Sequence, residues 1–437
     1  MRKVYMSFLG LGDPTKDDQG KIKGYKSARY ELNGQVSHET KYIQVAEMEL
    51  LRGSVFDLVL IVATKKSYEV HFTPLQQQME LHGARPASLI LEEDFSPQGQ
   101  WTWFESILSS FKPNDLLTVD LTHGYRAIPI IFSTAINFLQ KARNIQLFAV
   151  YYGAFVTKDQ VAPIVDMKDF YVVNEWAEAV SRLVEDADAR NLAQVAEKSS
   201  GFHVGELNDP ELVKALDELT NAVRNVDVNT VAEKANKALS LVQQNRKTAS
   251  ATGRLLLDLV LDKFKTLTME VPVSGYYDSD YYRVQLAIAK LLHEHRLYMQ
   301  TFTVLREFIG SLAMVFRQKQ RMTNADGRKC RLMYGEIFIQ MIQWPKDEWK
   351  FDQKKQELVY KLLPLYKELD HLGVVDRLRS FMKDLSDFRN GFDHAWTSRI
   401  ADFNGMQSRV NLILAELEKV FDLIVEEGLL QRQILSR

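Results

Sequence analysis

The sequence has a single cysteine, Cys330, among its 437 residues. One cysteine cannot form an intramolecular disulfide or a multi-cysteine zinc cage, so this usage is typical of a cytosolic protein. The chain also lacks an apolar run of the roughly 18 residues that cross a bilayer. Its first residues, MRKVYMSFLGLGD, are predicted to form a strand rather than a signal peptide. These features exclude secreted, membrane-spanning and disulfide-scaffold proteins, and we expect a cytoplasmic location.

An excess of positive charge is absent as well. The 55 Lys and Arg residues face 57 Asp and Glu residues, which gives a formal net charge of −2. Any site for a polyanion must therefore be local rather than a property of the whole surface. At roughly 150 residues per domain, the length predicts two or three domains.

Strand and helix patterns alternate through residues 1–165, which is typical of a parallel α/β sheet. The segment Val55–Ala63 is nearly continuous in aliphatic residues, as expected for a strand that is covered on both faces. Thr40–Leu51 and Ala127–Ala142 carry apolar residues at helical spacing. The other predicted strands are Lys3–Leu9, Ala87–Leu91, Leu116–Leu121, Ile145–Tyr152 and a closing hairpin of Ala154–Val156 with Val161–Val165.

Beyond about Asn174 the strand patterns nearly vanish, and stretches such as Glu211–Asn245 predict helices. Asp209-Pro210 and Trp344-Pro345 are predicted helix starts, because proline is favoured in the first helical turn. We therefore expect an α/β Rossmann-like N-terminal domain followed by an all-α C-terminal domain. The predicted boundaries are 1–170 for the first domain, 171–275 for a helical connecting region and 276–437 for the last domain.

Gly10-x-Gly12 follows the first predicted strand, where glycine lets a backbone approach a phosphate closely. Thr15 stands where a dinucleotide-binding fingerprint would have its third glycine, so a plain tight turn is an equal alternative. A GxxxxGK[ST] phosphate loop is absent from the sequence, which argues against a P-loop NTPase.

A polar cluster, Asp120-Leu121-Thr122-His123-Gly124-Tyr125-Arg126, ends the fourth main strand. Open α/β sheets bind ligands outside the carboxyl ends of their strands, so this cluster lies on the expected side. Arg126 opens the next helix, where the macrodipole favours anions rather than cations. This placement indicates that Arg126 faces a bound anion, and the alternative is an ion pair with Asp120 or Asp94.

Residues 1–165 resemble the sensor domain called CARF, for CRISPR-associated Rossmann fold, most specifically through DLTHGYRAIP. The resemblance implies a domain that dimerises and binds a cyclic oligoadenylate made by a type III CRISPR complex, with cyclic tetra-adenylate as the expected ring. The loop Asp13–Gly24, with Lys16, Lys21 and Lys23, either folds over this ligand or is a solvated charged loop. By position, the resemblance places the ligand site at Gly10, Gly12, Thr64, Thr122, His123, Gly124 and Arg126.

Near the C-terminus, Arg389-Asn390-Gly391-Phe392-Asp393-His394 forms an R-x4-H pattern. The bare spacing arises easily by chance, and the Asn directly after the Arg makes the pattern much rarer. Five residues along a regular helix turn about 500°, which leaves Arg389 and His394 about 140° apart around the axis. Either Gly391 bends the helix so that they converge, or two copies related by a two-fold axis meet to form one site.

This segment resembles the HEPN ribonucleases, whose R-x4–6-H motif forms a composite pocket in a dimer. The resemblance implies a metal-independent endoribonuclease, because RNA carries its own nucleophile in the 2′-hydroxyl. His394 would transfer protons, Arg389 would neutralise the developing charge on phosphorus and Asn390 would orient them. The alternative is a surface arginine and a histidine that is bonded to Asp393.

Two other clusters are weaker. His293 and His295 point nearly opposite ways on a helix, and no further ligand set accompanies them, so we expect no metal site. Arg317–Arg331 is the most basic stretch and either guides RNA by phosphate contacts or is an exposed loop.

The sequence is therefore interpreted as a type III CRISPR ancillary ribonuclease that cleaves single-stranded RNA, needs no cofactor and is activated by cyclic oligoadenylate. Its expected partners are that ligand, the RNA and at least one further copy of the chain, and we expect no association with a membrane. Two alternatives stay open: a ligand-sensing regulator without catalysis, and a ring nuclease that cleaves the cyclic oligoadenylate in the first domain.

Overall fold

The computed structural model describes residues 1–16, 18–20, 22–51, 55–123, 128–154, 161–198, 207–268, 275–315, 324–397, 403 and 405–430. Its internal contacts divide the chain into two compact units, Met1–Asn174 and Glu175–Arg437. The predicted boundary between residues 275 and 276 adjoins residues 269–274, which lie outside the described residues.

An eight-stranded mixed sheet forms the centre of the first unit, with the strand order β5-β4-β10-β9-β8-β1-β6-β7. The strands β9, β8, β1, β6 and β7 are mutually parallel, and β10 runs antiparallel to β9. Two short strands, β2 and β3, form a separate hairpin. The bounds are β1 Lys3–Leu9, β2 Asp13–Lys16, β3 Ile22–Gly24, β4 Tyr30–Leu32, β5 Gln35–Val36, β6 Leu58–Thr64, β7 Pro86–Leu91, β8 Leu116–Asp120, β9 Gln146–Gly153 and β10 Ala162–Asp166.

The helices of this unit cover both faces of the sheet, because the central strands are apolar on both sides. Val4, Met6 and Phe8 of β1 pack with α4 and α5 on one face. Tyr5 and Leu9 pack with α1 and α3 on the other face. The helices are α1 Ile43–Leu50, α2 Lys65–Ser67, α3 Thr73–Leu81, α4 Pro97–Ser109 and α5 Ile128–Ala142, with a π-helical turn at Tyr68–Phe72 between α2 and α3.

The chain order creates a switch point beside β1. From β1 the chain adds β6 and β7 on one side, and then crosses to add β8 and β9 on the other. The helices that follow β1 to β6, α1 and α3, pack on one face of the sheet, and those that follow β7 and β8, α4 and α5, pack on the other. This reversal opens a crevice beyond the carboxyl ends of β1 and β8. The predicted polar cluster that begins at Asp120 starts at this place.

Helix α6, Lys168–Asp186, leads into the second unit, whose described regular structure is helical. None of the described helices is long and apolar enough to cross a membrane. The further helices are α7 Arg190–Lys198, α8 Pro210–Arg224, α9 Val231–Thr248, α10 Ala251–Phe264, α11 Ser279–Glu294, α12 Tyr298–Ser311, α13 Ala325–Gln343, α14 Gln353–His371, α15 Val374–Asp393 and α16 Met406–Glu426.

The expectation of an α/β region followed by a helical region is confirmed. Several boundaries differ from the sequence prediction. Helix α1 starts at Ile43 rather than Thr40, because Thr40 pairs with Ala28 in an isolated antiparallel bridge. The predicted helix start at Trp344-Pro345 is wrong: Lys346–Glu348 form only a 3₁₀ turn, and α14 begins after Asp352, whose side chain caps the amide of Lys355.

The predicted closing hairpin also differs. Strand β10 pairs antiparallel with the end of β9 itself, with Ile164 opposite Gly153. Ala154 lies outside both strands, although its amide still donates to the carbonyl of Pro163. Val156 lies outside the described residues.

Candidate functional site

A cavity of about 680 Å³ lies beyond the carboxyl ends of β1, β6 and β8. It brings together four of the residues that the sequence places at a ligand site, and Gly124 and Arg126 lie outside the described residues. The apolar part of the lining includes Phe8, Val62 and Phe95. The full lining is Phe8, Leu9, Gly10, Leu11, Gly12, Pro14, Tyr25, Val62, Ala63, Thr64, Lys66, Glu93, Phe95 and His123.

The two glycines after β1 are needed for close backbone contacts. A Cβ atom on Gly10 would lie 3.1 Å from the carbonyl oxygen of His123, which is tighter than ordinary packing. Gly12 has a φ of +66°, and a Cβ there would lie 2.6 Å from the carbonyl carbon of Gly24. Glycine alone adopts this conformation freely and leaves room for the neighbouring backbone. The loop is thus held against both the end of β3 and the loop after β8.

His123 stacks on Tyr25, with ring centroids 4.1 Å apart and an interplanar angle of 29°. Its Nε2 atom is buried and has no hydrogen-bond partner among the described residues. Burial, helped by the neighbouring His71, lowers the pKa of His123 to about 4. At neutral pH the ring is therefore uncharged, and it offers one unused polar atom beside the cavity.

Tyr25 and His71 fix the loop after β1 from outside the predicted motif. The Tyr25 hydroxyl donates to the carbonyl of Gly10 at 2.7 Å. His71 Nε2 lies 3.1 Å from the carbonyl of Leu11, and its Nδ1 lies 3.2 Å from the hydroxyl of Tyr42. Because the carbonyl only accepts, Nε2 carries the proton and Nδ1 accepts from Tyr42. Burial lowers the pKa of His71, which favours this neutral form.

Sequence reasoning missed both of these residues. His71 lies in the π-helical turn, a feature that occurs often at functional sites but that no residue pattern here reveals. Tyr25 directly follows the charged loop, which the structure shows to be the β2–β3 hairpin. Lys16 and Lys23 of that hairpin are exposed, and Lys21 lies outside the described residues.

Thr122 acts on the backbone rather than on the cavity, whose lining does not include it. Its hydroxyl donates to Asp120 Oδ1 at 2.5 Å and accepts the amide of Gly153 at 2.8 Å. Asp120 also accepts from the hydroxyl of Ser7 at 2.6 Å. Burial raises the pKa of Asp120, while these donated hydrogen bonds oppose the rise. The network ties the ends of β1, β8 and β9 together under the predicted site.

Thr64 ends β6 and begins the following helix. Its side chain accepts the amide of Ser67, and its own amide donates to the Ser67 hydroxyl at 2.9 Å, which forms a capping box. Two residues further on, Lys66 reaches the cavity and pairs with Glu93 at 3.0 Å. The side of the cavity formed by β6 and β7 therefore carries one charge of each sign.

The predicted catalytic residues lie at the end of α15 in the second unit. Arg389 is half-buried and pairs with Asp393 at 3.3 Å, one turn along the helix. Asn390 and His394 are exposed. The helix is continuous through Gly391, and the amide of His394 still donates to the carbonyl of Asn390. The structure thus shows no bend at Gly391 that would bring Arg389 and His394 together.

Gly391 has a different role. A Cβ atom at this position would lie 2.5 Å from the ring of Trp396, so the indole packs directly on the glycine. Ala395 and Trp396 adopt φ values of 46° and 57°, which turn the chain back toward α15. Phe392 lies against the same indole, with ring centroids 5.3 Å apart. The turn that contains His394 is therefore stabilised by the packing of the Trp396 indole against Gly391.

The other candidate clusters have structural partners. His293 bonds to Asn411 at 2.8 Å, whereas His295 bonds to the carbonyl of Glu185. The described residues contain no group of three or more His, Cys, Asp or Glu side chains that could hold a metal ion. Arg331 is buried and pairs with Glu307, so it is not an exposed RNA contact; residues 317–323 of the same basic stretch lie outside the described residues.

The fold and the site define a two-unit protein, with a cavity at the switch point of an α/β sheet in one unit, and half-buried Arg389 beside exposed Asn390 and His394 in the helical unit. No protein-family model matches the chain. The chain is 22% identical over 369 residues to CRISPR-associated protein MJ1674 of Methanocaldococcus jannaschii. The match covers 71% of this chain and 53% of that protein, so the chain spans about half the length of the curated relative it matches.

Proposed function

We propose that this protein is a cytoplasmic CRISPR-associated ribonuclease that binds a cyclic oligoadenylate in the first unit and cleaves single-stranded RNA with the second. The cavity at the carboxyl ends of β1, β6 and β8 is the observation that carries the proposal. It unites Gly10, Gly12, Thr64 and His123, which the resemblance to CARF sensor domains selects. The similarity to a CRISPR-associated protein supports a CRISPR-related role.

The cavity suits a nucleotide ligand in its chemistry. Its apolar walls can cover a base, and His123, whose buried Nε2 has no hydrogen-bond partner among the described residues, is part of the lining. The glycine loop lets backbone amides approach a phosphate. A cyclic oligoadenylate has all of these groups, and the two-fold axis of an even-membered ring such as cyclic tetra-adenylate would match that of a homodimer.

The proposed cleavage uses the RNA 2′-hydroxyl as nucleophile. This oxygen attacks the adjacent phosphorus, the bond from phosphorus to the 5′-oxygen breaks, and the products are a 2′,3′-cyclic phosphate and a free 5′-hydroxyl. An imidazole exchanges protons near neutral pH, so His394 takes the 2′ proton or supplies the leaving oxygen with one. The guanidinium of Arg389 stabilises the charge that develops on the phosphorane.

An RNA cleavage assay in EDTA tests this proposal, with cyclic tri-, tetra- and hexa-adenylate added separately. We expect one ring, the tetra-adenylate first, to activate cleavage that leaves 2′,3′-cyclic phosphate or 3′-phosphate ends. His394→Ala should abolish cleavage and retain ligand binding. Products with 3′-hydroxyl ends, or activity that only Mg²⁺ restores, would contradict the metal-independent mechanism.

A second candidate is a nucleotide sensor without catalysis, and the ion pair between Arg389 and Asp393 favours it. In that case the pair is a structural contact of α15 and the helical unit docks a partner. The same assay separates the two candidates, because the sensor binds a cyclic oligoadenylate and cleaves no RNA with any ring.

A further inference from the structure

Lys66 and Glu93 come together because of the register between β6 and β7. Thr64 pairs with Leu91 at the last position of these parallel strands, and each charged residue follows its strand end by two residues. The ammonium of Lys66 lies 3.0 Å from the carboxylate of Glu93, and both side chains line the cavity. The pair is therefore part of the proposed ligand site rather than of a distant surface.

Both side chains of the pair are exposed enough for a phosphate to replace Glu93 as the partner of Lys66. The side chain of Lys66 is 68% exposed and that of Glu93 is 33% exposed. Ion pairs at such exposed positions contribute little to stability. A lysine ammonium on a flexible stem also binds phosphate readily as a point charge. A phosphodiester in the cavity would be attracted by Lys66 and repelled by Glu93.

We propose that Lys66 is a phosphate-binding residue of this cavity. In the absence of ligand its ammonium pairs with the carboxylate of Glu93, and a phosphodiester of the ligand displaces that carboxylate. The proposal rests on the proposed function, since it takes the ligand to be an oligonucleotide with several phosphodiesters. Glu93 then weakens the binding of every anionic ligand. Ligands with several phosphates at the right spacing still bind, because their other contacts outweigh this repulsion.

Binding of cyclic tri-, tetra- and hexa-adenylate to the full chain tests the proposal by titration calorimetry. Glu93→Gln should tighten binding about fivefold, because the competing charge is removed. Lys66→Ala should weaken binding by about the same factor and make the affinity less dependent on salt concentration, because one cation fewer faces the phosphodiesters. A purely structural pair would leave that salt dependence unchanged.

The chain offers a matched control for each variant. Glu92→Gln and Lys65→Ala make the same changes in net charge at exposed neighbours that are absent from the cavity lining. These controls should bind within a factor of two of the wild type. In the Lys66→Ala background, Glu93→Gln should improve binding less than it does in the wild type. The substitution frees the Lys66 ammonium for the ligand, and in this background that ammonium is absent.

The outcomes separate this proposal from the one on which it rests. If the wild type binds a ring and Glu93→Gln leaves its affinity unchanged, weakens it, or only matches Glu92→Gln, the exchange at Lys66 is overturned while the sensor function stands. If the wild type binds none of the three rings, the proposed function fails and this proposal fails with it. Thermal midpoints equal to that of the wild type identify variants that are properly folded.

Discussion

His123 is held uncharged by its surroundings, and this has a consequence for stability. Its ring stacks on Tyr25, and burial lowers its pKa from an ordinary value of 6.5 to about 4. Between these two values the unfolded chain binds a proton that the folded chain does not bind. The free energy of unfolding therefore falls as the pH is lowered through this window, and it recovers as the pH is raised.

We predict that His123→Gln loses less stability than the wild type when the pH is lowered from 7 to 4.5. Thermal unfolding of the first unit, followed at several pH values, measures the two slopes. Buried carboxyls such as Asp120, whose pKa is raised, are present in both proteins and cancel in the difference. Comparison at pH 8, where both proteins carry no charge at this position, gives the cost of the substitution itself. Parallel curves from pH 8 to pH 4.5 would show that His123 takes no part in the pH dependence.

At the scale of the element, the end of α15 depends on a contact between Gly391 and Trp396. We predict that Gly391→Ala pushes the indole away and destabilises the second unit by about 1–3 kcal/mol, as overpacking does. The turn that carries His394 moves with the indole, so kcat for RNA cleavage should fall more than KM rises. Urea unfolding and steady-state kinetics provide the two measurements.

Trp396→Phe keeps an apolar ring of smaller size and serves as the control. Combined with Gly391→Ala, the smaller ring should recover part of the lost stability, because it relieves the crowding at the new methyl group. If Gly391→Ala leaves both stability and kcat unchanged, the indole does not position the turn. A loss in Gly391→Ala that Trp396→Phe makes worse would likewise count against this role.

The sequence predicts strands better than it predicts the contacts around them. The aliphatic run that becomes β6 is recognisable because a strand buried on both faces must be apolar throughout. Gly12 is recognisable because a glycine after a strand marks a tight turn, and its positive φ agrees with this.

Tyr25 and His71 are not recognisable from the sequence, since their roles arise from tertiary contacts with the backbone of Gly10 and Leu11. Thr122 shows a further case, in which the hydroxyl of a motif residue holds the backbone network beneath the cavity, and its predicted role in ligand binding stays a prediction.

The same contrast holds in the helical unit. Helical spacing predicts most of its regular structure, and the capping residue Asp209 before Pro210 marks the start of α8. The spacing of Arg389 and His394 cannot show whether Gly391 bends the helix, because glycine also serves close packing. The structure shows Gly391 in close packing against Trp396 on a continuous helix, and a site shared by two copies of the chain stays a prediction.

At the scale of the whole molecule, this geometry leads to a prediction about assembly. Arg389 lies within α15 and His394 caps its C-terminal end. Regular helical geometry would place the two residues about 140° apart around the axis, so we infer that one chain holds only part of the pocket. We expect the active protein to be at least a dimer, in which a two-fold axis brings the Arg389 of one copy to the His394 of its partner. Light scattering under assay conditions measures the oligomeric state directly.

Mixing an Arg389→Ala chain with a His394→Ala chain tests the composite pocket. A mixed dimer has one pocket with both intact groups and one with neither, if each pocket takes one group from each protomer. The mixture should then regain about a quarter of the wild-type activity, since half of the dimers formed at random are mixed and each has one working pocket. Either parent alone, refolded in the same way, is the control and should be inactive. If both copies of each group are needed in one pocket, the mixture stays inactive, and wild type titrated with either variant loses activity faster than by dilution.

Full activity from a species that light scattering shows to be a monomer would rule out the composite pocket.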